Sequence, residues 1–321
     1  MAIQAAPSTF DDVLAARDRL GRYLSPTPLY RYPALSELVG AEVWVKHENH
    51  QPVGAFKVRG GINLVSQLSE GERERGVITA STGNHGQSVA YAAGLFDVRA
   101  VVCVPHGANP VKLDAIRALG AEVVVHGRDF DEAREHCERL ATENGYRYIH
   151  SANEPLLIAG VATHTLEILE QQHEIEAIVV PVGGGSGAAG ACVAAKAIRR
   201  EVEVIGVQSE AAPAAYRAWR ERCLLEDRME TFAEGLATRV AFELPQRILW
   251  ELLDDFVLVS EREIREAMVA MIAGTRNLVE AAGAAPLAAA LKLRSRLAGK
   301  RVALICSGGN VSVDQLRDLL S

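Results

Sequence analysis

The sequence predicts an α/β protein: an open, mostly parallel sheet with helices on both faces. Three observations carry this reading. Short apolar runs that end in glycine or a polar turn recur along the chain, longer amphipathic segments lie between them, and the two patterns alternate instead of clustering. Parallel strands need a crossover between them, and when helices cover both faces the strands read as nearly unbroken apolar stretches.

The runs GVITAS (76–81), VRAVVCVP (98–105), AEVVVHG (121–127), RYIHS (147–151), EAIVVPVG (176–183), VEVIGVQS (202–209) and KRVALICSGG (300–309) read as buried strands. Helical spacing occupies PVKLDAIRALG (110–120), DEAREHCERLATENG (131–145), EREIREAMVAMIAGTRN (261–277) and PLAAALKLRSRL (286–297). The charged stretch SEGERERG (69–76) reads as a solvated helix end and turn, and as a seam between two lobes. No internal repeat or low-complexity linker appears.

With 321 residues, the chain is long enough for two lobes with a substantial core. Its 49% hydrophobic and 23% charged residues are those of a globular protein. A net charge of −7, with no long basic run, argues against a nucleic-acid partner, which requires a cationic face. No stretch is apolar enough to span a membrane, and MAIQAAPSTFDD lacks the basic-then-apolar order of a secretory signal. The five cysteines (103, 137, 192, 223 and 306) have no metal-ligand spacing and read as reduced thiols of a cytoplasmic protein. His47 and His50 have no third partner at a zinc-like spacing, so no metal is expected.

Ligands of parallel sheets sit beyond the carboxyl ends of the strands. Three loops there are unusual. STGNHGQ (81–87) places Ser81, Thr82, Asn84, His85 and Gln87 on a turn into an alanine-rich helix, more polar side chains than an N-cap by Thr82 or Asn84 requires. Such a turn suits a carboxylate. PVGGGSGAAG (181–190) lets backbone amides approach a phosphate at the start of a helix near Gly187. Gly185, Gly187 and Gly190, with Glu210 further on, also match a dinucleotide fingerprint, and this segment alone does not decide between the two. ICSGGNVS (305–312) puts Ser307 at a strand end, followed by two glycines. Finally, VGAFKVRGG (53–61) sets Lys57 among small and apolar residues, where an enclosed amine loses its proton easily. A phosphate cup, an anion turn, a strand-end hydroxyl and such a lysine together suit pyridoxal phosphate.

GAFKVRGG, STGNHGQ, PVGGGSGAAG and CSGGN, in this order, resemble the serine/threonine dehydratase and serine racemase family, pyridoxal-phosphate enzymes of the tryptophan-synthase β-subunit fold, fold type II. The resemblance runs from about Pro28 to the end of the sequence. It implies two open, twisted α/β/α lobes with the cofactor in the cleft between them: a large lobe of residues 1–69 and 152–321, and a small mobile lobe of residues 70–151 that closes over substrate. By the same resemblance Lys57 would form the Schiff base and act as base on the substrate Cα. Phe56 would lie against the ring, and Asn84 would bond its phenolic oxygen. Gly183, Gly184, Gly185, Ser186 and Gly187 would cradle the phosphate, and Ser307 would face the pyridine nitrogen. Glu280 would stand near that end of the ring and Gly235 would line the pocket. The amides around Ser81, Thr82 and His85 would receive the substrate carboxylate.

The implied activity is elimination of water from L-threonine or L-serine, giving 2-oxobutanoate or pyruvate plus ammonia, in a homodimer. A serine hydroxyl at the ring nitrogen, in place of a carboxylate, favours elimination over a long-lived carbanion. Alternatives are racemisation, for which relatives place a second serine where this chain has Thr82, or dehydration of 3-hydroxyaspartate, phenylserine or a hydroxyectoine-derived amino acid. Gln208, Ala212 and Ala214 stand where the family binds a divalent cation, which argues against that site here.

Overall fold

The computed structural model describes residues 6–108 and 110–320. Among the described residues ten strands form two sheets: β1 Leu29–Arg31, β2 Glu42–His47, β3 Val77–Ala80, β4 Ala100–Val104, β5 Glu122–Val125, β6 Arg147–Tyr148, β7 Ala177–Pro181, β8 Glu203–Ser209, β9 Asp255–Val259 and β10 Arg301–Cys306. The larger sheet runs β1-β2-β10-β7-β8-β9 and the smaller runs β5-β4-β3-β6. Every pairing is parallel except the edge pair β1–β2. The chain thus starts one sheet, builds the other between residues 77 and 148, and returns to complete the first.

All seven strand runs read from the sequence are present, as are the four helical segments, but β5 and β6 are not buried as expected, because they are the edge strands of the smaller sheet. The segment 69–76 is a short helix, Glu70–Arg75, capped by Ser69 through a reciprocal bond with Glu72, and none of its residues is buried. Strands β1, β2 and β9 are additional. β2 carries Lys46 and Glu42 among its valines, β1 is three residues long, and β9 opens on an aspartate, so none presents an unbroken apolar run.

Apolar clusters cover both faces of each sheet. Val43, Val45, Val179, Ile205 and Leu304 face one side of the large sheet, and Ile178, Val180, Val204, Ala303 and Ile305 the other. Val77 and Val102 face one side of the small sheet, and Ile78 and Val101 the other. Among the described residues no helix is long and apolar enough to cross a membrane.

The last strand, β10, inserts between β2 and β7, with Cys306 opposite His47. That insertion brings the loop after residue 306 beside the loop after residue 47. The two are stitched further on, where Phe56 N donates to Ser307 O (3.0 Å) and Gly309 N to Gly54 O (2.9 Å).

A group of buried charges underpins the same corner. Arg59, 1% exposed, makes a forked contact with Glu48 (Nε to Oε2 2.7 Å, Nη2 to Oε1 2.8 Å) and another with Glu167 (Nη1 to Oε1 2.6 Å, Nη2 to Oε2 2.8 Å). Lys46 Nζ donates to Glu167 Oε2 (2.6 Å) and to Thr27 O (2.7 Å), and Thr27 Oγ1 donates to Glu48 Oε1 (2.6 Å). Two cations thus face two anions, joining β2, the helix Lys57–Val65 and the helix Pro155–Gln171. Although burial opposes it, the arginine beside Glu48 holds that carboxyl down at about 2. Removing one member leaves a charge uncompensated in the interior. Arg59→Met is therefore expected to cost about 3–5 kcal/mol in urea unfolding of the protein; a loss below about 1 kcal/mol would mean that water replaces the guanidinium.

Candidate active site

The helix Lys57–Val65 begins at Lys57 itself, with Phe56 as its N-cap. Helix packing is close here because the facing residues are small: a Cβ on Gly61 would stand 2.4 Å from Ser88 Oγ. Ser88 Oγ in turn donates to Lys57 O at 2.6 Å. The Lys57 amine donates to Ser186 Oγ (2.9 Å) and to Ser151 O (3.0 Å), and lies 5.4 Å from the centre of the Phe56 ring. Burial of the amine lowers its pKa to about 8, from an ordinary lysine value of 10.5. The loop that presents Ser151 O is shaped by His150, whose Nδ1 accepts from the amides of Ala152 and Asn153 at 3.0 Å each. Burial, with Arg134 and Lys57 nearby, holds His150 down at about 4, so its ring is neutral near pH 7.

The glycine loop lies against these groups. Its helix starts at Ser186, one residue earlier than the sequence suggests, after Gly185 in the left-handed region at φ +90°. A Cβ at Gly183 would stand 2.1 Å from Gly235 O, so only glycine fits there. A Cβ at Gly187 would press on the Phe56 ring at 3.1 Å. The helix Ser186–Ile198 therefore turns its free first-turn amides and positive dipole end toward the Lys57 amine, an arrangement suited to an anion.

The turn after β3 departs from the sequence reading in two details. The helix Asn84–Leu95 is capped by Gly83 without a side-chain bond, so neither Thr82 nor Asn84 serves as cap. The Ser81 amide continues the β3–β4 ladder by donating to Cys103 O (3.2 Å), and Ser81 Oγ accepts from Gly83 N (3.2 Å). Ser81 therefore has its hydroxyl, and not its amide, left to offer a substrate. His85 is buried, with Nε2 3.3 Å from Ile149 O, and burial and the Lys57 charge lower its pKa to about 3. Its backbone amide is in the first helical turn and has no intrahelical partner.

Asn84 crosses between the sheets. Its Nδ2 donates to Glu280 Oε1 (2.9 Å), and its Oδ1 accepts from Asn310 Nδ2 (2.8 Å). Glu280 caps the helix Ala281–Lys292 and lies against Gly308, where a Cβ would stand 2.5 Å from its Oε1. Burial raises the Glu280 pKa to about 7, opposed by Lys112 and by the bond from Asn84. A cavity of about 120 Å³ opens beside Glu280, Gly235 and Asn310, and the Lys112–Glu234 ion pair crosses its rim. The 183–187 loop thus meets Lys57, Phe56 and Gly235, Gly235 lies near Glu280, Asn84 bonds to Glu280, and Ser307 O joins Phe56 N. Gln208, further from it, has its Oε1 taken by Tyr216 N (3.0 Å).

The family model described as pyridoxal-phosphate dependent enzyme matches residues 21–308. This chain belongs to that family. It is 38% identical over 314 residues to an L-threonine ammonia-lyase of Thermotoga maritima, covering 98% of this chain and 78% of that one. Among solved structures it is similar to a serine racemase from Dictyostelium discoideum (TM-score 0.91, 34% identity, 96% of this chain and 100% of that one). It is also similar to the processed form of threonine deaminase isoform 2 from Solanum lycopersicum (TM-score 0.91, 33% identity, 99% and 95%). The fold is accordingly fold type II, and the family's cofactor is pyridoxal phosphate.

Pyridoxal phosphate suits the groups present: a desolvated amine, a glycine turn that opens a helix at Ser186 with its first-turn amides free, and an apolar ring beside them. Sequence reading missed Asn310, His150 and the Arg59 group. Asn310 was visible only as the end of CSGGN, and Arg59 resembled any helix cation. Two outcomes follow from the electrostatics. Because only the neutral amine attacks an aldehyde, capture of coenzyme by the depleted protein should rise about tenfold per pH unit below 8 and level off above it, in stopped-flow absorbance. Glu280 has a folded pKa raised from 4.5 to about 7, so its contribution to stability is whole below pH 4.5 and is lost progressively up to about 7. Urea unfolding of Glu280→Gln should lack that decline.

Proposed function

We propose that this chain is a pyridoxal-phosphate-dependent ammonia-lyase for β-hydroxy amino acids, converting L-threonine to 2-oxobutanoate and L-serine to pyruvate with release of ammonia. The observation that carries this is the Lys57 amine, held at low pKa between Ser186 Oγ and Ser151 O beside a glycine cradle. The relatives named for threonine ammonia-lyase and threonine deaminase support the substrate class. When bound, pyridoxal phosphate supplies an aldehyde for amines and an electron-withdrawing ring that acidifies the neighbouring Cα–H.

The chain's own residues would do the rest. Gly183, Gly184, Gly185, Ser186 and Gly187 would hold the phosphate with backbone amides, and Phe56 would lie against one face of the ring. Asn84 would donate to the phenolic oxygen, with Glu280 behind it, and Ser307 would face the ring nitrogen as a neutral partner. Gly235 would leave room in the wall. The Thr82 and His85 amides and the Ser81 hydroxyl would receive the substrate carboxylate. Once the substrate amine replaces it, the Lys57 amine, neutral above about pH 8, would take the Cα proton. With one proton taken from Cα by Lys57 and one returned to the β-hydroxyl, net loss of water would leave an enamine that water would hydrolyse to the oxo acid and ammonia. Closure of residues 70–151 over the cleft would exclude water until then. A cytoplasmic homodimer completes the reading.

Ammonia release over L- and D-serine, L- and D-threonine, 3-hydroxyaspartate and phenylserine tests it. The expected result is fastest release from L-threonine or L-serine, a fall of about 10³-fold or more in Lys57→Ala, and borohydride trapping of coenzyme mass on the Lys57 peptide. Conversion of L-serine to D-serine without ammonia would favour the racemase reading instead, as in the Dictyostelium discoideum neighbour.

A further inference from the structure

We infer that Asn310 is a positioning residue: it sets which end of the Asn84 carboxamide faces the coenzyme. The inference rests on the reading above that Asn84 meets the phenolic oxygen.

The amide nitrogen of Asn310 has two hydrogens, and both have acceptors: Val53 O at 2.8 Å and Asn84 Oδ1 at 2.8 Å. Val53 O can only accept. Turning the Asn310 carboxamide over would therefore set two oxygens against each other. The other end of Asn310 lies against bare backbone. Its Oδ1 stands 2.7 Å from where a Cβ of Gly54 would be, and Gly54 is at φ +65°, so the position both needs and leaves a bare backbone. The surrounding backbone is fixed by Gly309 N to Gly54 O and Phe56 N to Ser307 O.

Asn84 inherits that direction. With Oδ1 held by Asn310, its Nδ2 gives one hydrogen to Glu280 Oε1 and keeps the second for the site. Glu280 by itself leaves the direction open. With its carboxyl pushed up to about 7 it can either accept from Asn84 Nδ2 or, protonated, donate to Oδ1. Asn310 removes that freedom, so Asn84 presents a donor to an oxygen and never a second oxygen.

The test compares dissociation constants of the coenzyme-depleted full chain for pyridoxal phosphate and for 3-deoxypyridoxal phosphate, which lacks the phenolic oxygen. In Asn310→Asp the shape is kept but no hydrogen points at Asn84 Oδ1, so the carboxamide turns over. The wild-type preference for pyridoxal phosphate should then fall about tenfold, the worth of one hydrogen bond to a charged oxygen, or 1.4 kcal/mol. The fall should match that in Asn84→Ala, with a shift in the visible absorption band of the bound coenzyme. Asn310→Ala, which adds no charge, should lose part of the preference and guards against misfolding of the aspartate variant. Equal weakening toward both coenzymes, or none, with Asn84→Ala still losing the preference, would overturn the role of Asn310 alone. An unchanged preference in Asn84→Ala would overturn the placement of Asn84, and the inference with it.

Discussion

Two cations two residues apart on one helix meet opposite environments, and the site depends on that difference. Arg59 has two carboxylates in forked contact, which stabilise its charge and raise its pKa further. Lys57 has no carboxylate bonded to its amine, only a hydroxyl and a carbonyl oxygen, so burial acts unopposed and its pKa falls to about 8. One helix therefore carries a permanent charge that anchors it and an amine that can be neutral near the working pH.

The anchoring charge is costly to bury, and its return is geometric. Arg59, Glu48, Glu167 and Lys46 tie the first turn of the helix Lys57–Val65 to a strand of the large sheet and to a second helix. In the proposed reaction the Lys57 amine would have to reach its target to a fraction of an ångström, and it would gain from such rigid support. The glycines at 61 and 183 act in the same sense, since backbone-to-backbone approach leaves little play.

Opposite the amine, polar contacts join residues carried by the two sheets. Asn84 reaches Glu280 and Asn310, and Lys112 pairs with Glu234. The Lys112–Glu234 pair is partly exposed and costs little to break, whereas the Asn84 bond reaches the buried Glu280.

Much of this was legible in the sequence. The strand runs, the glycine loop, the lysine and the four ordered motifs were determined locally, because backbone preference and apolar periodicity act over a few residues. The tertiary structure alone decided the rest. β2 was hidden because Glu42 and Lys46 bound its short apolar stretch, and Lys46 and the Glu48 that follows the strand look exposed until Arg59 and Glu167 arrive from elsewhere in the chain. The Asn310–Asn84 bond joins residues 226 apart, and the Glu280 bond joins residues 196 apart. Both exist because β10 enters the sheet between β2 and β7, and strand order is set by long-range packing that no short stretch of sequence encodes.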